Sequence, residues 1–208
     1  MDAKPGHGRG GLIVFEGADE SGKTTISKLL AEEIFKQGED CIWLAFPGQT
    51  PGTLGAEVYS IHHDARFAGV PALSMQLIHI AAHVEAIERN ILPALARGAW
   101  IVLDRYWWST WVYGVLAGAN QKTLQHALEI EFLDWGTVLP TIAFLFLRNV
   151  PGTAKPVTER VNLQTEYKKL ARRESRRYPV EIVDNSSTIE DAFHYVLSST
   201  LRHLANPQ

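Results

Sequence analysis

Short apolar runs alternate with helically spaced apolar positions along the chain. Leu12-Ile-Val-Phe-Glu16, closed by Gly17, predicts a buried strand. Residues 22–37 then place Ile26, Leu29, Leu30 and Ile34 at a helical period, and Gly38 predicts the stop. Cys41 to Phe46 predicts a second strand ended by Pro47-Gly48, followed by a Gly/Pro-rich loop and a short helix to about His63. Residues 73–97 predict a long helix with a kink or a fresh start at Pro93. Trp100 to Leu103 predicts a third strand, and 107–117 and 121–135 predict helices parted near Gly118. Thr141 to Leu147 predicts a fourth strand, 163–177 a basic helix, Val180 to Val183 a fifth strand and 188–204 a closing helix. Three of the strand runs are apolar on both faces. This alternation predicts an α/β fold of three layers, a five-stranded parallel sheet with helices on both sides. Ligands in such sheets sit at the carboxyl ends of the strands.

The 208 residues suit one domain, and we read 1–11 as a glycine-rich leader and 12–208 as the single domain. With 46% apolar and 21% charged residues, the chain is not globally disordered. A net charge of −3 excludes bulk electrostatic binding of nucleic acid and leaves room only for a local basic patch. The single cysteine, Cys41, lies in an apolar run and reads as a buried small hydrophobe. It makes no internal disulfide, which fits a cytoplasmic setting. No run reaches the ~18 apolar residues of a membrane span, and the leader has no apolar core of a signal peptide.

Candidate chemistry follows the strands. Gly17, Ala18, Asp19, Glu20, Ser21, Gly22, Lys23 and Thr24 fit G-x-x-x-x-G-K-[ST], with a strand before and a helix after, and Thr25 continues the motif. Glycines at both ends let successive N–H groups turn inward around phosphate, and the helix N-terminus adds its dipole. These residues are the expected ATP site. Lys23 is expected to reach the β- and γ-phosphates, and the Thr24 hydroxyl to ligate Mg²⁺. Leu103-Asp104-Arg105-Tyr106 ends the third strand. Asp104 there would hold the metal or act as a base, and Arg105 would neutralise the transferring phosphoryl.

At these residues the sequence resembles the thymidylate kinases, within the nucleoside monophosphate kinase group of P-loop kinases. Phe15-Glu16-Gly17-Ala18-Asp19 resembles that family's F-E-G-x-D opening, and Phe46-Pro47-Gly48 its second-strand proline motif. Ala81-Ala82-His83 followed by Ile91-Leu92-Pro93 resembles its long helix, and Asp104-Arg105-Tyr106-x-x-Ser109 its D-R-[YH]-x-x-S signature. The resemblance implies the P-loop fold, ATP with Mg²⁺, a nucleotide-like acceptor and a homodimer. It implies that Asp19 lies near the acceptor sugar or the reacting phosphates and that Arg105 grips a phosphate. The expected catalytic set is Lys23, Asp104, Arg105 and Asp19. The expected acceptor set is Phe46, Pro47, His79, His83, Arg105, Tyr106 and Ser109, with Thr24 and Asp104 for the metal.

The chain departs from the family on the acceptor side. Ala45 and Gln49 stand where the family carries arginines, and His83 replaces the arginine that contacts the base. Neutral groups do not reproduce a guanidinium's bidentate contacts. The lid around 149–162 is short, with Lys155 and Arg160 as its cations. The leading expectation is transfer of the ATP γ-phosphate to a monophosphate such as dTMP. Two alternatives stand beside it: a hydroxyl acceptor, either a nucleoside or a hydroxymethyl-pyrimidine in DNA, and a nucleotide-binding switch without a small acceptor. Trp107, Trp108 and Trp111 read chiefly as packing, with stacking on a base as the alternative. The basic run Lys168, Lys169, Arg172, Arg173, Arg176 and Arg177 reads either as a solvated helix face or as a surface for DNA. His62, His63, His79 and His83 do not form a zinc set, and His79 and His83 are expected in the acceptor pocket or the core.

Overall fold

The computed structural model describes residues 10–148 and 157–205. The expected lid residues 149–156, Lys155 among them, and the leader up to residue 9 lie outside the described residues, as does the side chain of Arg160. The first strand, β1 (Leu12–Gly17), leads through the glycine-rich loop into α1 (Lys23–Lys36) and β2 (Cys41–Ala45). Two helices follow, α2 (Leu54–His63) and α3 (Ala72–Ala86). A π-turn over Ile87–Ile91 then leads to the short α4 (Leu92–Ala96) and β3 (Trp100–Asp104). The rest of the chain is α5 (Trp107–Leu116), α6 (Gln121–Trp135), β4 (Ile142–Leu147), α7 (Val157–Glu174), β5 (Val180–Asp184) and α8 (Ile189–Ala205). All four strand pairings are parallel, in the order β2-β3-β1-β4-β5.

Burial explains this arrangement. Every residue of β1, β3 and β4 is buried, as expected for central strands covered on both faces. Alternate side chains feed two cores. Leu12, Val14, Ile101, Leu103, Ala143 and Leu145 join one with Ile80, Trp108, Leu128 and Tyr167. Ile13, Phe15, Val102, Phe144 and Phe146 join the other with Ile26, Leu30 and Val196. Each fully buried large side chain contributes roughly 1.5–3 kcal/mol. The register brings the chemistry together. Phe15 pairs with Asp104 and Ala45 pairs with Asp104. The ends of β1, β2 and β3 therefore adjoin, and the backbone confirms it: Phe46 N donates to Asp104 O at 2.9 Å and Arg105 N to Phe15 O at 2.8 Å.

The indoles of Trp107 and Trp108 are core. Trp107 packs edge-on against Phe132 with the Arg173 guanidinium over its ring, and Trp108 Nε1 donates to Tyr178 Oη at 3.1 Å. On α7 the side chains of Lys168, Lys169, Arg172 and Arg173 are exposed. Lys169 pairs with Glu166, and Arg173 and Arg177 close on the buried Glu174, which is a solvated helix face anchored by one carboxylate. The Cys41 thiol is pushed up to about 12 by burial and by Asp40, so it stays protonated and packs as a hydrophobe.

Candidate active site

The glycine-rich loop is shaped by backbone geometry. Gly17 and Gly22 have φ of 141° and 89°, and the non-glycine Glu20 sits at 62°. A Cβ on Gly22 would collide with the carboxamide of Asn185, whose Nδ2 donates to Ser21 O at 2.8 Å and braces the loop from the end of β5. Lys23 Nζ donates to Ala18 O at 3.1 Å across the loop mouth. Burial and then Arg105 lower the Lys23 pKa to about 8, against the opposing pull of Asp104, Asp19 and Glu16. Arg148, at the end of β4, donates from Nη1 to Glu20 O at 3.2 Å. That places a cation on the loop which the motif alone did not single out.

Thr24 and Asp104 meet as the sequence predicts, with Thr24 Oγ1 donating to Asp104 Oδ2. Asp104 Oδ1 and Ser21 Oγ are buried and have no hydrogen-bond partner among the described residues. Buried oxygens of this kind are costly unless something binds them, and a hydroxyl, a carboxylate and phosphate oxygens form the hard donor set that suits Mg²⁺. The residues present therefore fit the metal and the phosphates.

Arg105 sits at φ 74°, a conformation that costs a non-glycine residue about 1–3 kcal/mol and clusters at functional sites. Its Nη1 donates to Ser109 Oγ at 3.0 Å, and its Nη2 donates to Asp19 of the glycine-rich loop. Asp19 also accepts from Tyr113 Oη at 2.9 Å. Burial disfavours charge on Arg105, but the acidic and phenolic groups around it outweigh burial and hold its pKa above the ordinary value.

Asp19 and Arg105 help to line a cavity of about 440 Å³. Phe46, Pro47, His79, His83 and Ser109 line it as expected. Tyr106 does not: its ring is buried in the core against Trp107 and Trp135, and only its backbone N–H serves the site. Tyr113, two helical turns on, does line the cavity. Sequence reasoning also missed Tyr59, His62, His63, Gln76 and Thr110 as lining residues. Helical spacing back from His83 and His79 reaches Gln76 on the same face of α3. Nothing in the local pattern pointed to α2, which packs on α3 only in the folded chain.

Each cavity histidine meets a close partner. His62 Nε2 and His79 Nε2 lie 2.7 Å apart, so one donates and the other accepts. Burial, then His83, His62 and Arg105, lowers the His79 pKa to about 3, and burial also lowers that of His62. His83 stacks on Phe46 at 4.0 Å between ring centroids, and its Nδ1 meets Glu131 at 2.9 Å in a pair with side-chain exposure of 3% and 0%. Among the described lining residues Arg105 is the permanent cation. No group of three metal-ligating side chains occurs among the described residues, and no described helix is long and apolar enough to cross a membrane.

The family model for thymidylate kinase matches residues 15–197. The chain belongs to the thymidylate kinase family. That places it among the ATP-dependent P-loop kinases. It is 39% identical over 123 residues to the thymidylate kinase of Caldanaerobacter subterraneus, a match covering 59% of this chain and 58% of that protein. Thymidylate kinases of a Bradyrhizobium species and of Symbiobacterium thermophilum match at 26% and 29% identity. Those matches cover 96% and 86% of the chain and 82% and 87% of the relatives. The two motifs that carry the resemblance, the glycine-rich loop and Asp104-Arg105-Tyr106, lie within the matched span. At the positions where the resemblance predicts arginines the chain has Ala45, Gln49 and His83; of these His83 lines the cavity and stacks on Phe46.

Proposed function

We propose that this kinase transfers the γ-phosphoryl group of ATP to the phosphate of dTMP. The observation that carries the reading is the junction of two sites. Arg105 is bound to Asp19 of the phosphate loop and opens onto a cavity of about 440 Å³, within the range that suits a small ligand such as a nucleotide. A phosphate bound by Arg105 therefore faces the terminal phosphate of a nucleotide held by Gly17 to Thr25.

Each group has a role by its position. The N–H groups of the loop and Lys23 hold the β- and γ-phosphates, and Arg105 holds the acceptor phosphate against them. Thr24 and Asp104 would hold Mg²⁺, which when bound neutralises charge between the phosphates. A phosphate acceptor is already ionised, so no general base is needed, and Asp104 serves the metal rather than a proton. Asp19 and Tyr113 orient the Arg105 guanidinium from the far side. Phe46, His83 and Gln76, which line the same cavity, meet the base.

Assay of dTDP formation from dTMP and Mg·ATP tests this, beside thymidine, other monophosphates and hydroxymethyl-pyrimidine DNA as acceptors. The expected result is product from dTMP that falls at least about 100-fold in Lys23→Ala. Product from thymidine or from DNA, with none from dTMP, would overturn the reading.

A further inference from the structure

Glu16 is a wholly buried carboxylate in an apolar strand, and the transfer chemistry does not use it. Its Oε1 accepts from Tyr106 N at 2.8 Å and from Ser109 N at 3.0 Å. Its Oε2 accepts from Ser109 Oγ at 2.7 Å and from Gly17 N at 3.3 Å. Helix α5 has no cap from the side chain of its own N-cap residue, Tyr106, so Glu16 caps its first turn from across the sheet. Burial raises the Glu16 pKa, and the Ser109 hydroxyl, the Arg105 charge and the backbone N–H groups of Tyr106 and Ser109 oppose the rise; with donors on both oxygens, Glu16 is read as the carboxylate of the cluster.

Proton counting then fixes the direction of the chain. Ser109 has one hydroxyl proton and gives it to Glu16. Its lone pairs receive Arg105 Nη1 at 3.0 Å and Tyr167 Oη at 2.9 Å, so with Glu16 as the carboxylate Tyr167 is the donor in that contact. Tyr167 is fully buried on α7, the helix that follows residues 149–156. A buried hydroxyl is costly unless paired, and its ring is already packed in the core.

We propose that Glu16 and Tyr167 are positioning residues for Arg105: Tyr167 and Glu16 fix the Ser109 hydroxyl, and that hydroxyl fixes the guanidinium. Helix α7 thereby sets the aim of the acceptor-binding cation on the opposite side of β1. The inference rests on the reading that Arg105 grips the acceptor phosphate.

Tyr167→Phe removes the hydroxyl and keeps the ring. One neutral hydrogen bond leads us to expect kcat/KM for dTMP to fall about threefold to tenfold, through KM, with KM for ATP within about twofold of wild type. In a Ser109→Ala background, itself impaired, Tyr167→Phe is expected to add nothing, because the path through Ser109 is already cut. Equal effects of Tyr167→Phe with and without Ser109, equal losses for dTMP and ATP, or no loss at all would each overturn the proposal. The nitrogen resonances of the Arg105 side chain give a readout that does not need the reaction. They are expected to shift in Tyr167→Phe and to be indifferent to that change when Ser109 is alanine. If wild type makes no dTDP but these shifts appear, the functional reading fails and the positioning stands; unchanged resonances overturn the positioning itself.

Discussion

In the proposed reaction Lys23 and Arg105 both meet phosphate; burial disfavours charge on each, and their neighbours decide the outcome. Arg105 keeps its charge at any working pH because a guanidinium titrates far above it and its neighbours reinforce the charge. Lys23 is lowered to about 8 by burial and by Arg105 beside it. Only the ammonium binds phosphate, so the free protein loses its competent form as pH rises through about 8. ATP restores the proton on binding. The Kd for ATP is therefore expected to rise above about pH 8, by up to about tenfold per unit, and to flatten with pH in Lys23→Met. Titration calorimetry between pH 7 and 9.5 checks it, and a flat Kd in the wild type would sink it. The same residues mark what a sequence reveals. Lys23 and Arg105 were legible because fixed spacing after a strand carries their chemistry. Glu16 was quoted as part of a motif without a role, because a lone carboxylate in an apolar run gives no sign of the loop and helix turn it caps. Tyr106 was misplaced for the related reason that a motif names a residue but does not say which way its ring turns.

Among the elements, all five strands and both motif-bearing turns were legible from apolar runs ended by Gly or Pro. The helix boundaries were less so. The expected kink at Pro93 appears as a π-turn over Ile87–Ile91 with Pro93 at the start of α4, where its missing N–H costs little. Helix α7 begins at Val157 rather than 163 and ends at Glu174 rather than 177. Its first five residues include β-branched Val157, Thr158 and Val161, which argue weakly for helix, and tertiary packing of Leu163, Tyr167 and Leu170 overrides them. The cavity depends on how closely α3, α5 and α6 approach. A Cβ on Gly114 of α5 would lie 2.7 Å from Leu124 of α6 and 2.9 Å from Gln76 of α3. Gly114→Ala is therefore expected to cost about 1–3 kcal/mol of stability by overpacking, net of its gain in helix propensity, and to raise KM for dTMP more than KM for ATP by displacing Gln76. Urea denaturation and steady-state kinetics together check this; an unchanged dTMP KM would show that Gln76 does not meet the acceptor.

Across the whole molecule, the cost of a histidine-lined cavity appears as acid sensitivity. His79 reaches the cavity with Arg105, His62 and His83 around it, and it is lowered to about 3 by burial and by those neighbours. An unfolded histidine takes up a proton near pH 6.5. Between about pH 6.5 and 3 the unfolded chain therefore binds a proton that the native protein refuses. The contribution to stability is intact above pH 6.5 and is lost progressively as pH falls. His62, lowered in the same direction, adds to the slope. Groups facing His79 act on the same balance: His83, His62 and Arg105 disfavour its proton, Asp19 lines the same cavity, and Glu131 is paired with His83. Replacing the ring without its titration isolates the effect. His79→Phe is expected to have a shallower loss of unfolding free energy from pH 7 to pH 4 than wild type, whatever its stability at pH 7. Denaturant unfolding at pH 7, 6, 5 and 4 measures the two slopes. Parallel slopes would mean that His79 titrates normally in the folded protein and that the cavity is wetter than its geometry indicates.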